Sequence, residues 1–350
     1  MLTELVEVLA RAGYEPPAGK QLRDVAIIMN NFFGVPPNPA LPIGQLRSGF
    51  ALMLLDARGE PAHYARIQAA EDEAFSAECR LVRLLSGDAV TGDIVPRSKS
   101  AHGKRIRLQV SQFLASEERL VPRPGWTPSH WLALAHEALQ TRDTLCHRAA
   151  EIVPEIQSHG AWLRLDNAVQ APLSVVASVH GTGVRTNLIS DVLRTLPPVP
   201  AVVQHGDFWA GNLLLHGGKW RIIDFEDFGH IYAPLYDTLH LIQTSARGGR
   251  WGPTAGWLDV GPFPVDREWR RIWGELLRTR AEALDLTPPQ LGGLILFYLV
   301  RLTAHRLRPG VSEEFSVMPM SDLRAAVRHL ESGGELEDLI PSGGDALRAS

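Results

Sequence analysis

Two polar segments decide the fold: His-Gly-Asp-Phe-Trp-Ala-Gly-Asn at 205–212 and Arg-Ile-Ile-Asp-Phe-Glu at 221–226. Between them lie an apolar run, Leu-Leu-Leu at 213–215, and the turn-forming residues His-Gly-Gly-Lys at 216–219. The residues 220–223 then read as a returning strand. The pattern predicts a β-hairpin whose open end carries the polar residues of both segments.

Three of these polar residues have the side chains that phosphoryl transfer needs. Asp207 offers a carboxylate that could orient and deprotonate an acceptor hydroxyl, and Asn212 and Asp224 offer an amide and a carboxylate that could hold Mg²⁺ on phosphates. Asp, Asn and Gly are also common turn residues, so each position alone would indicate little. Their coincidence at fixed spacing predicts Asp207 as the catalytic base and Asn212 and Asp224 as metal ligands.

The two segments resemble the motifs of the aminoglycoside phosphotransferase and choline kinase superfamily, the small-molecule branch of the protein-kinase-like fold. That family writes its catalytic loop H-G-D-x-x-x-x-N, its metal strand I-D-[FWY]-E-x, and then a P-x-x-D-[IL] segment. This chain has Ile-Asp-Phe-Glu-Asp at 223–227 and Pro-Leu-Tyr-Asp-Thr-Leu at 234–239. The motifs match closely, and the rest of the C-terminal part matches loosely.

The resemblance implies a two-lobed α+β fold with a small β-rich N-lobe and a larger, mostly helical C-lobe. We expect a nucleotide-binding lobe over 1–114, with a helical extension at about 1–40, and a catalytic and substrate-binding lobe over 115–350. The implied reaction moves the γ-phosphoryl group of ATP (or GTP), with Mg²⁺, to a hydroxyl of a small molecule. The acceptor is expected to be an aminoglycoside, a sugar or an amino alcohol.

Hydrophobic periodicity predicts the elements around the motifs. A hairpin is expected from strands at 50–55 and 62–68, and a further strand at 106–113. Helices are expected at 1–12, 20–33, 71–86, 128–152, 266–284, 288–307 and 320–332.

The nucleotide side departs from the family pattern. Arg66 stands where a phosphate-positioning lysine is expected, and Glu78 on the following helix is its expected partner. The alternative is that Arg66 is a solvated strand residue. Gly44 and Gly49, in the segment 43–49, are predicted to let the backbone approach the phosphates, although such a pair more often marks a turn.

Three further residues near the motifs have expected roles. His205 is expected to hold the loop in place, and the resemblance implies that Asp237 braces the same loop. Glu226 could reach a second metal or face solvent, and the sequence leaves both open.

Composition excludes several other classes of protein. A net charge of −4 argues against a nucleic-acid partner. The apolar stretch 291–300 contains glycines, is followed by Arg301, and is shorter than the ~18–20 residues that span a bilayer. The N-terminus shows no secretory signal. The only cysteines, Cys79 and Cys146, lack metal spacing, which predicts a protein of the reducing cytoplasm. Because no apolar run is long enough to span a bilayer, we expect no membrane partner.

Two other functions stay open at this point. The arginine at position 66 is compatible with a kinase-like nucleotide-binding protein that does not catalyse. A metal-dependent hydrolase could use His205, Asp207 and Asp224, and would want further histidine ligands. No P-loop sequence is present, which disfavours that class of nucleotide-binding protein. The tryptophans at 246–264 could bind an acceptor or simply pack a long loop.

Overall fold

The structure is a computed structural model that describes residues 2–29, 50–118, 120–122, 125–157, 161–179, 183–248, 267–307 and 313–342. The chain divides into two compact units. The N-terminal unit comprises Met1–Glu118, Glu151–Val153 and Leu214–Glu226. The C-terminal unit comprises Arg119–Ala150, Pro154–Leu213 and Asp227–Ser350.

The N-terminal unit is built on an antiparallel sheet with the strand order β1-β2-β3-β5-β4. Its strands are β1 (Ala26–Met29), β2 (Phe50–Leu55), β3 (Pro61–Ala69), β4 (Ser98–His102) and β5 (Ile106–Gln112). Its helices are α1 (Leu2–Arg11), α2 (Leu22–Val25) and α3 (Glu73–Gly87). Because strand side chains alternate between faces, every second residue of the central strands is buried. These residues form one core with the apolar face of α1.

The helix α3 positions one of the predicted site residues. Asp72 caps it by accepting a hydrogen bond from the backbone N–H of Phe75 at 2.9 Å. The buried face of α3 carries Glu78 among Phe75, Cys79, Val82 and Leu85. A carboxylate on an otherwise apolar face needs a partner, and the sheet supplies one, as described below.

Two predictions for this unit are wrong. The helix expected at 20–33 ends at Val25, and the chain continues as β1, whose backbone pairs antiparallel with β2. Strand pairing therefore overrides the helical pattern there. The sequence prediction also lacked β4, an edge strand of composition Ser-Lys-Ser-Ala-His with no apolar alternation. The predicted hairpin, the helix at 71–86 and the strand at 106–113 are confirmed.

The C-terminal unit is mostly helical. Its long helices are α4 (Pro128–Ile152), α9 (Tyr236–Gly248), α10 (Arg267–Glu282), α11 (Pro288–Arg306) and α12 (Glu313–Glu331). Four shorter helices are α5 (Pro154–Gln157), α6 (Leu165–Ala168), α7 (Gln170–Ser178) and α8 (Thr186–Arg194), and the short strands β6 (Trp162–Leu163) and β7 (Val199–Pro200) pair with each other. The helices predicted at 128–152, 266–284 and 288–307 are confirmed. The helix predicted from 320 begins earlier and continues through Pro319.

The predicted hairpin between the two polar segments is confirmed. Its strands are β8 (Leu213–His216) and β9 (Lys219–Ile222). Gly217 and Gly218 join them with φ angles of 58° and 68°, the left-handed conformation that a tight hairpin turn needs. Among the residues described above, no helix is long and apolar enough to cross a membrane.

Candidate active site

The loop at 205–212 is held from beneath by Asp237, in the first turn of α9. The carboxylate of Asp237 is fully buried and accepts hydrogen bonds from the backbone N–H groups of His205 and Gly206 at 2.7 and 2.9 Å. These are the contacts that a bracing residue has to make. Gly206 has a φ of 90°, and a Cβ there would lie 2.6 Å from the carbonyl oxygen of Asp227, so only glycine fits.

Asp237 is in turn supported by two residues that sequence reasoning did not select. Arg142 on α4 is 2% exposed, and its Nη1 lies 3.2 Å from Oε1 of Gln204 and 3.5 Å from Oδ2 of Asp237. The same oxygen of Gln204 accepts from the backbone N–H of Asp237 at 3.1 Å. Burial opposes the charge of Arg142, but Asp237 and Asp143 raise its pKa above the ordinary value. The guanidinium therefore stays charged beneath the loop.

A signal for Arg142 is present in the sequence. The buried face of α4 runs through Ala135, Ala138, Leu139, Leu145 and Cys146 at helical spacing, and position 142 falls on that face. An arginine at an apolar-face position implies a buried partner.

The carboxylate of Asp207 is held on both oxygens. The amide nitrogen of Asn212 donates to Oδ2 of Asp207 at 2.9 Å and also to its backbone oxygen at 2.9 Å. Nε2 of His240 lies 3.1 Å from Oδ1, and Nδ1 of His240 lies 3.1 Å from the hydroxyl of Tyr298. Since an ionised carboxylate only accepts, Nε2 of His240 donates to it.

The same contacts keep Asp207 ionised. Burial by itself would raise the pKa of this carboxyl, but the hydrogen bond and charge of His240 outweigh it and lower the pKa to about 2. At neutral pH, Asp207 is therefore an anion with a fixed orientation. His240 lies on α9, one turn after Asp237, and nothing in the sequence singled it out.

The amide oxygen of Asn212 is available for a cation. Its Oδ1 is buried and has no hydrogen-bond partner within the part of the chain that the structure describes, since the amide nitrogen makes both bonds to Asp207. A buried oxygen left unbonded is costly. Amide and carboxylate oxygens are ligands that Mg²⁺ accepts. The residue thus fits the metal-binding role expected of it.

In the N-terminal unit, three predicted site residues lie around a fourth, Arg66 on β3. Its Nη1 is 2.5 Å from Oε1 of Glu78 and 3.4 Å from Oδ1 of Asp224, and its Nη2 is 3.7 Å from Oε2 of Glu226. The side chain of Arg66 is 19% exposed, which excludes the alternative of a solvated strand residue. The guanidinium also lies over the ring of Phe75, 5.4 Å from its centroid.

This cluster has more negative than positive charge. Burial raises the pKa of Glu78 to about 7; Arg66 opposes that shift, and Asp224 and Glu226 add to it. Asp224 has a φ of 64°, a left-handed conformation that Asp tolerates better than most residues, and its side chain is 30% exposed. A divalent cation bound by Asp224 would offset the excess of carboxylates.

Other predicted residues have simpler surroundings. Glu226 is 73% exposed. The buried ring of His205 makes edge-on contacts with Phe208 and Phe228. Gly44 and Gly49 lie outside the described residues, as do the tryptophans at 251 and 257. Within the described ranges, no three His, Cys, Asp or Glu side chains converge on a metal position. Enzymes that act on nucleotides usually bind Mg²⁺ by one or two carboxylates plus substrate phosphates.

A cavity of about 180 Å³ opens beside Asp207 in the C-terminal unit. Its walls come from the loop at 205–212, from α7 and α9, and from the C-terminal end of α11. Its lining includes the polar or charged side chains of Asp227, Arg301, His305 and Arg306. The cavity can receive a small polar molecule next to a fixed carboxylate.

Comparison with known proteins agrees with this geometry. Residues 119–259 match the model of the phosphotransferase enzyme family. No curated protein sequence matches the chain significantly.

Three solved structures share the fold. A candidate aminoglycoside phosphotransferase from Ralstonia eutropha superposes with a TM-score of 0.55 at 14% identity, covering 94% of this chain and 98% of that one. An ethanolamine kinase from Plasmodium vivax superposes with a TM-score of 0.52 at 12% identity, covering 91% of this chain and 85% of that one. A candidate fructosamine-3-kinase from Thermobifida fusca gives 0.50 at 15% identity, covering 94% and 98%.

At such low identities these likenesses establish the fold, and they confirm the predicted kinase-like α+β architecture. The family match adds the catalytic loop and the residues that follow it. The chain is thus similar to the phosphotransferase enzyme family over residues 119–259, and it shares the fold of these solved structures.

Proposed function

We propose that the protein transfers the γ-phosphoryl group of ATP (or GTP), with Mg²⁺, to a hydroxyl of a small molecule bound beside Asp207. The observation that carries this proposal is the carboxylate of Asp207, which is oriented by Asn212 and His240 and faces the cavity. An ionised carboxylate held on both oxygens beside a cavity favours catalysis over nucleotide binding alone.

Asp207 acts on the acceptor hydroxyl. It accepts a hydrogen bond from that group, directs the oxygen towards the phosphoryl group, and takes the proton late in the reaction. A pKa of about 2 makes Asp207 a weak base but a permanent anion. Because the transition state of phosphoryl transfer is loose, orientation matters more than basicity.

The motifs and the cluster at Arg66 support an assignment of the residues that bind the nucleotide and its metal. We assign Asn212 and Asp224, with Glu226, as the protein ligands of Mg²⁺, and Arg66 as the cation that positions the phosphates. Glu78 holds Arg66 in place. When bound, Mg²⁺ supplies positive charge that stabilises the charge developing on the phosphates. We also propose that the enzyme is cytoplasmic and has no nucleic-acid or membrane partner. Two buried free cysteines support the cytoplasmic location, because thiols stay reduced there.

The proposal is tested by thermal shift with Mg-ATP and Mg-GTP, followed by a nucleotide-consumption screen over aminoglycosides, sugars, amino alcohols and nucleosides. We expect stabilisation by at least one nucleotide and consumption with one acceptor class. Nucleotide stabilisation with no consumption across the panel would instead favour the non-catalytic binding protein.

Substitutions at Arg66 test the departure from the family pattern. Arg66→Ala should lower kcat by roughly 10²-fold and change the nucleotide KM much less, because misplaced phosphates are felt mainly in the transition state. Glu78→Ala should lower kcat less than Arg66→Ala does. The double variant should have a kcat little below that of Arg66→Ala, since the two residues act as a pair. Arg66→Lys should retain activity. Steady-state kinetics with Arg58→Ala, on the exposed turn of the same unit, gives the control; full activity in Arg66→Ala would refute the assignment.

His240 provides a second test. His240→Leu removes the hydrogen bond to Asp207, and we expect kcat to fall by about 10-fold, the effect of losing one charge-assisted bond of ~1.5 kcal/mol. His240→Gln can still donate to the carboxylate and should recover part of the loss. The KM for nucleotide should stay the same in both variants. If kcat is equally low in His240→Leu and His240→Gln, the histidine has a packing role only.

A further inference from the structure

Arg301 is an unexpected residue in its helix. All residues of α11 from Gln290 to Ala304 are buried except Arg301. Arg301 is half-buried and lines the cavity beside Asp207. A helix covered on all faces is normally apolar throughout. A guanidinium in the covered part of such a helix implies a partner for its charge.

The described protein does not supply that partner. Among the residues that the structure describes, Arg301 makes no hydrogen bond and no ion pair, although Asp227 lines the same cavity. The negative end of the helix dipole accounts for His305 and Arg306, which lie in the last turn, but Arg301 lies before that turn. Its charge faces the place where the acceptor has to bind.

We propose that the acceptor is a small hydroxy acid, such as a sugar acid, whose carboxylate binds Arg301 while its hydroxyl meets Asp207. The inference rests on the proposed function and narrows its acceptor class. A guanidinium forms two parallel hydrogen bonds with a carboxylate, which fixes the orientation of the bound molecule. A polycationic aminoglycoside would be repelled by Arg301, and a neutral sugar would leave its guanidinium unpaired.

Binding is tested first, without nucleotide. The probes are sodium D-gluconate, sodium D-glycerate, D-glucose, D-glucosamine and sodium phosphate, each in thermal shift at equal ionic strength. We expect a higher Tm with at least one carboxylate, no rise with glucose or glucosamine, and no rise with the carboxylate in Arg301→Met. Arg328→Met, which removes an exposed arginine of the same unit, should respond like the wild type.

Kinetics with ATP and the carboxylate that binds form the second part. We expect Arg301→Met to raise the KM for that acceptor by about 10- to 100-fold, the range for a lost charge-assisted hydrogen bond, with a smaller change in kcat. Arg301→Lys should have an acceptor KM between those of the wild type and Arg301→Met. A fall in kcat with an unchanged acceptor KM would show that Arg301 serves the transferred phosphoryl group, and would overturn the proposal.

Other outcomes separate the two proposals. Stabilisation by phosphate alone, equal stabilisation by glucosamine, or a carboxylate response that persists in Arg301→Met overturns the hydroxy-acid proposal and leaves phosphoryl transfer standing. Arg301-dependent binding of a carboxylate with no consumption of either ATP or GTP supports the acid site and contradicts the phosphoryl-transfer function.

Discussion

Asp207→Asn should lower turnover on a genuine acceptor by roughly 10²- to 10⁴-fold, the scale for a positioned general base. The substitution keeps the shape of the side chain but removes its charge, so it can no longer orient and deprotonate the hydroxyl. The amide also cannot accept on both sides as the carboxylate does from Asn212 and His240. Measurement of kcat and of nucleotide KM separates these effects, because the KM should barely change.

The matched control is Asp191→Asn. Asp191 is exposed in the same unit and, among the described residues, pairs with Arg194 in the same helix, so its loss should leave kcat within the error of the wild type. Near-normal turnover in Asp207→Asn would remove Asp207 from the mechanism.

Asp224→Asn and Asp224→Ala should abolish the Mg²⁺-dependent part of nucleotide stabilisation. A ligand that binds only the folded state adds about 2.7 kcal/mol at a hundredfold excess over its Kd, and this increment should vanish without the carboxylate. The asparagine variant tolerates the left-handed backbone at φ 64°, so it isolates the loss of charge from backbone strain.

The comparison has to use the Mg²⁺-dependent increment and not the Tm itself. Removal of Asp224 also removes one carboxylate from the neighbourhood of Glu78, which changes the stability of the free protein. Asp93→Ala provides the control, because Asp93 is exposed in the same unit and pairs with Lys219. An unchanged increment in both Asp224 variants would place the metal elsewhere.

The catalytic loop and the hairpin were predictable because their information is local. Asp207, Asn212 and the turn at Gly217 and Gly218 lie within a short segment, where spacing and turn chemistry specify the backbone. The cluster at Arg66 was accessible through the motif, since a strand, the next helix and the metal strand occur in a known order. The structure adds their distances.

The supporting residues were not predictable in the same way. Arg142 meets Gln204 from 62 positions away, and His240 meets Tyr298 from 58 positions away. Such pairs are created by helix packing, which leaves only an oddly placed polar residue as a trace in the sequence. Arg301 is such an oddly placed polar residue in α11. The edge strand β4 has no signal in the sequence, because its residues do not alternate between apolar and polar.

The central claim is phosphoryl transfer to a small-molecule hydroxyl, and the fate of the γ-phosphoryl group tests it most directly. The protein is incubated with Mg-ATP labelled at that group and with the acceptor found in the screen, and the products are separated. We predict label in a phosphorylated acceptor with the wild type, and none with Asp207→Asn or without Mg²⁺. Label released only as inorganic phosphate would indicate a hydrolase, and label that stays on ATP would indicate a binding protein; either result would contradict the account.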